Sequence, residues 1–389
     1  MDSYPSTQRA VVMTGKRQPY AEIEVPVFPP ASGEILVRVG WTASTPLDLH
    51  RADGGLLIPS YPAQAGGGGI AGTVVAVGQG VDELVVGDSV MAFAFHGGKE
   101  ANHQEYVTIP RFLAGKVPPG MTLREACTVP VNLVTVFHTA TADLGLELPW
   151  PRRLNDQHVP AAVDAPILVW GASSSVGIFA LQVLRHWGYT HLLAVSSDKH
   201  HAYLRHIGAA ACFDYADADV VESILGRVRR DTVEDINDGP LVPYILDCIG
   251  SLGGSLQPLT RIAQRGSRVA VMLPVIIKDA TDDEEPEYEM DVSRCLADKW
   301  ADGVILRGAR THHYLEVGPV PTGSRWRNEY FKQKLQSEII PALLAQKVVE
   351  PNRQRVVEGA SMVERAQKAL ALLRSRAVSG ERLVWRVAG

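Results

Sequence analysis

Hydrophobic and polar positions along this chain follow two rhythms. From residue 9 to 110, short apolar runs alternate with polar positions and with glycine and proline turns. They predict strands at Ala10–Met13, Glu34–Val39, Gly72–Val77, Ser89–Phe95 and Glu105–Ile109. A helix pattern follows from Leu123, and another runs from Val131 to Leu144. From residue 165 the rhythm becomes strand, helix, strand. Apolar runs at 166–170, 192–196, 211–213, 243–248 and 267–273 are separated by helical patterns such as Ile178–His186 and Lys199–Ile207. That alternation predicts a parallel sheet, so the fold class is α/β. Pro149–Ala165 and the acidic stretch Asp279–Asp291 read as surface loops. Beyond residue 330 come helix patterns at Phe331–Gln346 and Ser361–Ser375, then a last strand, Arg382–Val387.

The run Ile167–Trp170 leads into Gly171-Ala-Ser-Ser-Ser-Val-Gly177 and then into a helix. Strand, tight turn and helix together make a phosphate cradle, because the turn and the helix N-terminus aim backbone N–H groups at an anion. Gly171 bends the chain and Gly177 lets helix and strand approach. Ser173, Ser174, Ser175 and Val176 complete the turn, with Ser174 where a central glycine is usual. The next strand ends in Ser196-Ser197-Asp198-Lys199. An acidic residue about 20 positions beyond the turn would hold the ribose 2′-OH of NAD. Here hydroxyls and an ammonium come first, which suits a 2′-phosphate and therefore NADPH. Asp198 is the residue NAD would use, and a Lys199 that is simply solvated remains the alternative.

Length and composition change the picture in a few places. A chain of 389 residues is long enough for two domains with separate cores. Apolar residues at 46% and charged residues at 21% fit a soluble globular enzyme. A net charge of −5 without a basic patch excludes a nucleic-acid partner. Cys127, Cys212, Cys248 and Cys295 are scattered, which argues against a disulfide framework or a structural zinc and fits the cytoplasm. No secretory pattern opens the sequence, and no apolar run approaches a membrane span.

The chain resembles the medium-chain dehydrogenase/reductases, specifically their zinc-independent, quinone-oxidoreductase-like branch. The resemblance rests on Gly72–Gly78, Gly87-Asp-Ser-Val90, the turn at Gly171–Gly177, Tyr244–Gly250 and the ending Ala371–Val384. The Pro149–Ala165 insertion is similar to fungal members, among them stand-alone enoyl reductases that partner polyketide synthases. The resemblance implies a GroES-like β-rich catalytic domain at 1–134, a Rossmann doubly wound parallel-sheet domain at 135–310, and a return to the catalytic domain at 311–389. It matches Lys199 and Tyr215 to contacts with the 2′-phosphate and Thr135 to the nicotinamide's surroundings. It makes Cys248, Ile249, Gly250 and Leu273 cofactor-lining residues, while Gly308 would let backbone approach near the cofactor.

The metal donors of zinc alcohol dehydrogenases are missing here. The loop Trp41–His50 has no cysteine, and Gly66-Gly67-Gly68 stands where Gly-His-Glu would be. His50, His96 and His103 show no ligand spacing, and the pairs His200-His201 and His312-His313 point apart. No metal is expected. Without a Lewis acid, a plain ketone is a poor substrate, whereas a conjugated carbonyl spreads the developing charge onto an oxygen that neutral donors can stabilise. Thr45 and Tyr61 are the candidate donors, with Asp48 as a structural hydrogen-bonder.

The expected function is an NADPH-dependent reductase of an enone or enoyl thioester, free or carrier-tethered, in secondary metabolism. The alternatives are a quinone oxidoreductase and, from another class, a catalytically silent nucleotide-binding protein. A tethered substrate would call for a basic surface, for which Arg51, Arg307 and Arg310 are candidates. Monomer and homodimer both stay open.

Overall fold

The computed structural model describes residues 4–151, 159–231, 239–311 and 328–387. The chain forms two compact units. The first comprises Met1–Val134, Ala280–Pro286 and Asn328–Gly389; the second comprises Thr135–Asp279 and Glu287–Arg327.

The first unit is built on a seven-stranded sheet. Its order runs Gln354–Val356, Arg382–Arg386, Glu34–Ala43, Gly68–Val77, Ser89–Ala94 and Ala114–Lys116, with Tyr106–Pro110 also pairing Glu34–Ala43. The last strand lies antiparallel to Glu34–Ala43, Val384 opposite Ala43, so both ends of the sequence build this unit. A three-stranded sheet sets Thr7–Met13 between Tyr20–Pro26 and Ala63–Gln64. The strand Tyr20–Pro26 escapes the sequence pattern because its Ile23 is exposed and only Tyr20 is buried. The helix Pro46–Gly54 begins at Thr45, whose hydroxyl accepts from the Leu47 N–H, while Asp48 accepts from the Thr45 N–H. This reciprocal cap fixes the start of the helix.

The second unit carries a six-stranded parallel sheet. Its order is Ala211–Phe213, Leu192–Val195, Ile167–Trp170, Tyr244–Asp247, Arg268–Met272 and Ile305–Ala309. The central strands are buried along their length, as expected where helices cover both faces. Five of the six strands follow the apolar pattern. Ile305–Ala309 does not, because it is an edge strand whose residues are mostly half-buried.

Three expectations need correction. The stretch Asp279–Asp291 is not simply a solvated loop. Glu287–Glu289 pairs with Val275–Lys278, and Arg17 donates to the carbonyls of Thr281, Asp282 and Glu284, at 2.7, 2.6 and 2.5 Å. Lys16 also meets Glu285 at 2.6 Å. The helix expected at Val131–Leu144 is α only over Pro130–His138 and widens to a π-turn over Thr139–Leu144, where Thr139 and Thr141 bond back to carbonyls of the preceding turn. The helix at Phe331–Gln346 is likewise split by a π-turn, Leu335–Ile339, just before Pro341.

Candidate active site and cofactor site

In the second unit, the candidate cofactor residues gather at the carboxyl ends of the parallel strands. Gly171 has φ +76, and a Cβ there would lie 2.5 Å from Ile249 Cδ1. A Cβ on Gly177 would lie 2.6 Å from both Ala172 Cα and the Gly171 carbonyl oxygen. Both positions therefore require glycine. Ser174 caps the helix Ser175–His186, its hydroxyl accepting from the Gly177 N–H at 3.1 Å. The serine in place of a central glycine thus closes the turn by a side chain. Ser173, Ser175 and Val176 lie in the same turn and the helix start, half-exposed.

The end of the second strand brings Ser197 and Tyr215 together, their hydroxyl oxygens 3.3 Å apart. Tyr215 is 55% exposed and Lys199 is exposed in the turn Asp198–His200. Ser196 differs: it is buried, and its hydroxyl donates to the Ser197 carbonyl. Asp214, which the sequence reading passed over, ties these segments by accepting from the N–H groups of Ala216 at 2.9 Å and Asp198 at 3.0 Å. Those two bonds hold its carboxyl below the usual carboxylate range. His201 bonds locally, to the Ser196 carbonyl at 3.2 Å, whereas His312-His313 lies outside the described residues.

The third part of the site follows the strand Tyr244–Asp247. Gly250 has φ +62, and a Cβ there would lie 2.2 Å from the Met272 carbonyl oxygen. Cys248 is half-buried, with desolvation pushing its thiol well above its ordinary pKa, while Ile249 is 42% exposed. Asp247 organises this turn. It is fully buried, accepts from the N–H groups of Ile249 and Gly250, and receives the Ser255 hydroxyl at 2.7 Å. Burial pushes its pKa up to about 6 against the opposing effect of those bonds. An acid closing an otherwise apolar strand was the available signal for it. Leu273 packs on Gly308, where a Cβ would meet its Cδ1 at 2.7 Å. Gly308 therefore makes room for the Leu273 side chain. Thr135 is buried, its hydroxyl 3.3 Å from that of Thr311.

In the first unit, the four-glycine run is packed on every side. Cβ positions on Gly66, Gly67, Gly68 and Gly69 would approach Asn102 Oδ1, Leu47 Cδ2, the Ala43 carbonyl oxygen and the Cys127 carbonyl oxygen, at 2.0, 3.1, 2.8 and 2.3 Å. His103 is buried against Trp385, ring centroids 4.7 Å apart, and His96 meets Glu100 at 2.6 Å. Burial lowers His50 to about 4. Among the described residues, no group of three or more His, Cys, Asp or Glu side chains is arranged to hold a metal ion.

Thr45 and Tyr61 are not brought together. The Tyr61 hydroxyl lies against Gly55, 3.4 Å from where its Cβ would be, at the far end of the helix that Thr45 caps. At 1.5 Å per residue the two ends are about 15 Å apart, so the two hydroxyls cannot meet one carbonyl oxygen. Thr45 is buried and Tyr61 is 38% exposed. The surface role considered for three arginines is corrected for Arg51, which is buried and donates to the Gly66 carbonyl. Arg307 and Arg310 are half-buried and donate to the carbonyls of Leu306 and Met290.

The alcohol dehydrogenase GroES-like domain family matches residues 31–138. The trans-enoyl reductase tazE of Aspergillus terreus is 34% identical over 230 residues, covering 56% of this chain and 73% of that protein. The chain belongs to the medium-chain dehydrogenase/reductase superfamily, in its enoyl-reductase-like branch. It is an oxidoreductase of that superfamily. A second relative, the trans-enoyl reductase tndF of Aspergillus flavipes, is 33% identical over 243 residues, covering 59% of this chain and 68% of that protein. In fold, the chain is similar to an Escherichia coli quinone oxidoreductase solved with NADPH, at 18% identity and a TM-score of 0.67, covering 98% and 99% of the two chains. No helix among the described residues is long and apolar enough to cross a membrane.

Proposed function

We propose that this oxidoreductase is an NADPH-dependent reductase of a conjugated carbonyl, an enone or an enoyl thioester, working without a metal. The observation that carries the cofactor preference is the Ser197–Tyr215 hydroxyl pair beside the exposed Lys199. Two hydroxyls and an ammonium offer donors to a 2′-phosphate, and Asp214 keeps the two segments that carry them in register. The turn Gly171–Gly177 and the helix start fit a pyrophosphate: the two glycines let the turn close tightly beneath the N-terminus of the helix Ser175–His186, and Ser174 spends its acceptor on the cap. Ile249 supplies an exposed apolar surface next to that turn.

When bound, a nicotinamide cofactor supplies the hydride. The chain's part is to bind and orient it and to stabilise the substrate oxygen as charge develops there. Thr45 is the proposed donor. Its oxygen accepts from Leu47, which leaves its hydrogen for a substrate carbonyl, and the cap fixes the oxygen's position. Tyr61 is the alternative donor rather than a co-donor. The reading without metal rests on the glycines at 66–69, which supply no side-chain ligand and, at Gly66, Gly68 and Gly69, leave no room for a Cβ. The relatives named as trans-enoyl reductases favour a polyketide-type or other secondary-metabolite substrate, free or carrier-tethered.

Anaerobic consumption of NADPH against a panel of enones, enoyl thioesters and quinones, with NADH in parallel, tests this. Turnover of an enone or enoyl thioester with NADPH preferred supports it. Turnover of quinones alone selects the quinone-oxidoreductase reading. Cofactor binding with no turnover of any acceptor counts against reduction of these acceptors and leaves a substrate outside the panel or a silent binding protein as the leading readings.

A further inference from the structure

The first unit buries an unbalanced set of charges. On the helix Pro46–Gly54, Asp48 and Arg51 stand three residues apart and share its buried face. The last strand comes alongside: Leu383 accepts from the Ser44 N–H at 3.0 Å, and the Trp385 indole donates to the Ser44 hydroxyl at 3.0 Å. Arg382 therefore enters next to the Thr45–Asp48 cap, and His103 packs against Trp385. Asp48, Arg51, His103 and Arg382 are all more than nine-tenths buried.

Their hydrogen bonding is incomplete. Among the described residues, Arg51 Nε, Arg382 Nε, both His103 ring nitrogens and Asp48 Oδ1 are buried without a partner. Arg51 does reach the Gly66 carbonyl, but a neutral acceptor leaves its charge in place. The other titratable groups facing the set do not balance it. Asp53 is taken by Arg374 through two bonds of 2.7 Å. Burial holds Tyr20 and Cys127 protonated, Cys127 pushed up to about 12, and keeps His103 and His50 neutral. Arg382 is lowered only to about 10 and stays a cation at neutral pH. Two guanidinium groups thus face one carboxylate in a buried interior, where an unmatched charge is costly.

We propose that Arg51 and Arg382, with His103 as a neutral donor, bind one monovalent inorganic anion beside Asp48, chloride being the common candidate. The anion brings the buried set to neutrality and takes the Nε–H groups of Arg51 and Arg382, which find no acceptor among the described residues. Its role is structural: it fastens the last strand to the cap of the helix Pro46–Gly54.

Crystals of the full chain grown in sodium bromide, with data collected at the bromine edge, decide the matter. The expected result is one anomalous peak within hydrogen-bonding distance of Arg51 and Arg382 nitrogens. A water in that place, or bromide only at the surface, overturns the proposal. Melting in sodium chloride against sodium gluconate at matched ionic strength gives a second readout. A chloride-specific, saturating rise of about 2 °C between 10 and 200 mM is expected, and it should vanish in Arg382→Met. Equal melting in the two salts overturns the proposal as well. The bromide experiment needs no variant, so it stands even where Arg382→Met fails to fold.

Discussion

The carboxyl end of the parallel sheet and the Asp48–Arg51 region are both polar neighbourhoods, the first partly exposed and the second buried, made in opposite ways. In the second unit, the turns after Trp170 and Asp247 are shaped by glycines at positive φ and by side chains that bond to nearby backbone, as Ser174 and Asp247 do. Ser174, Asp247 and Ser251 there find their partners within eight residues. In the first unit, Asp48, Arg51, His103 and Arg382 come from segments more than 300 positions apart at the extremes, and several of their atoms find no partner among the described residues. Local chemistry makes the first region readable and rigid. Long-range assembly makes the second unreadable from sequence and sensitive to charge.

The largest expected effect tests that rigidity. Gly250→Val would need a left-handed β-branched residue with its Cβ against the Met272 carbonyl, so a loss of about 3 kcal/mol or more is expected in urea unfolding. A stable variant would mean that this turn tolerates what its geometry forbids. Next comes Thr45. Thr45→Val should lower kcat about 100-fold for the enone, whereas Thr45→Ser keeps both donor and cap and should stay within a few-fold. Unchanged kcat in the valine variant, with Tyr61→Phe impaired instead, would move the donor to Tyr61. Third, Lys199→Ala should raise the KM for NADPH about 10- to 100-fold and leave that for NADH nearly unchanged. An equal change for both cofactors would remove the 2′-phosphate role.

Acid should separate the two regions in direction. Asp247, with a folded pKa of about 6 against an ordinary 3.8, binds its proton more readily in the folded state. It contributes stability below pH 4 that is lost as pH rises through 6. His50, lowered from 6.5 to about 4, contributes stability above pH 6.5 that is lost as pH falls toward 4. Hydrogen-exchange protection factors between pH 4.5 and 7 should therefore move oppositely in 244–256 and 46–54, and Asp247→Asn should flatten the first. The smallest effect is Ser174→Ala, about 1 kcal/mol from the lost cap, seen as a lower urea midpoint and a weakened cofactor affinity.

How far the sequence reached follows the same division. The Gly171–Gly177 turn, five of the six parallel strands and the Ser197–Tyr215–Lys199 end were legible because apolar runs and turn residues act over short spans. The edge strand Ile305–Ala309 was not, since a half-buried edge carries little pattern. Asp214 and Asp247 were passed over because a carboxylate that bonds backbone looks, in sequence, like any other. The separation of Thr45 from Tyr61 needed the helix between them to be seen capped at one end and turned at Gly55 at the other. The hold of Arg17 on 281–284 joins residues more than 260 positions apart, beyond any local signal.

The pairing of Arg382–Arg386 with Glu34–Ala43 has a consequence for synthesis. As the chain leaves the ribosome, the strands of the first unit emerge early, and Tyr106–Pro110 pairs Glu34–Arg38, but Trp41–Ala43 lack their neighbour on that edge until the last strand is out. The parallel sheet is complete by residue 309, well before that. The unit begun first is thus the one finished last, with the short edge Trp41–Ala43 unpaired meanwhile. A nascent chain stalled near residue 375 should carry a protease-resistant second unit and a first unit still open to cleavage.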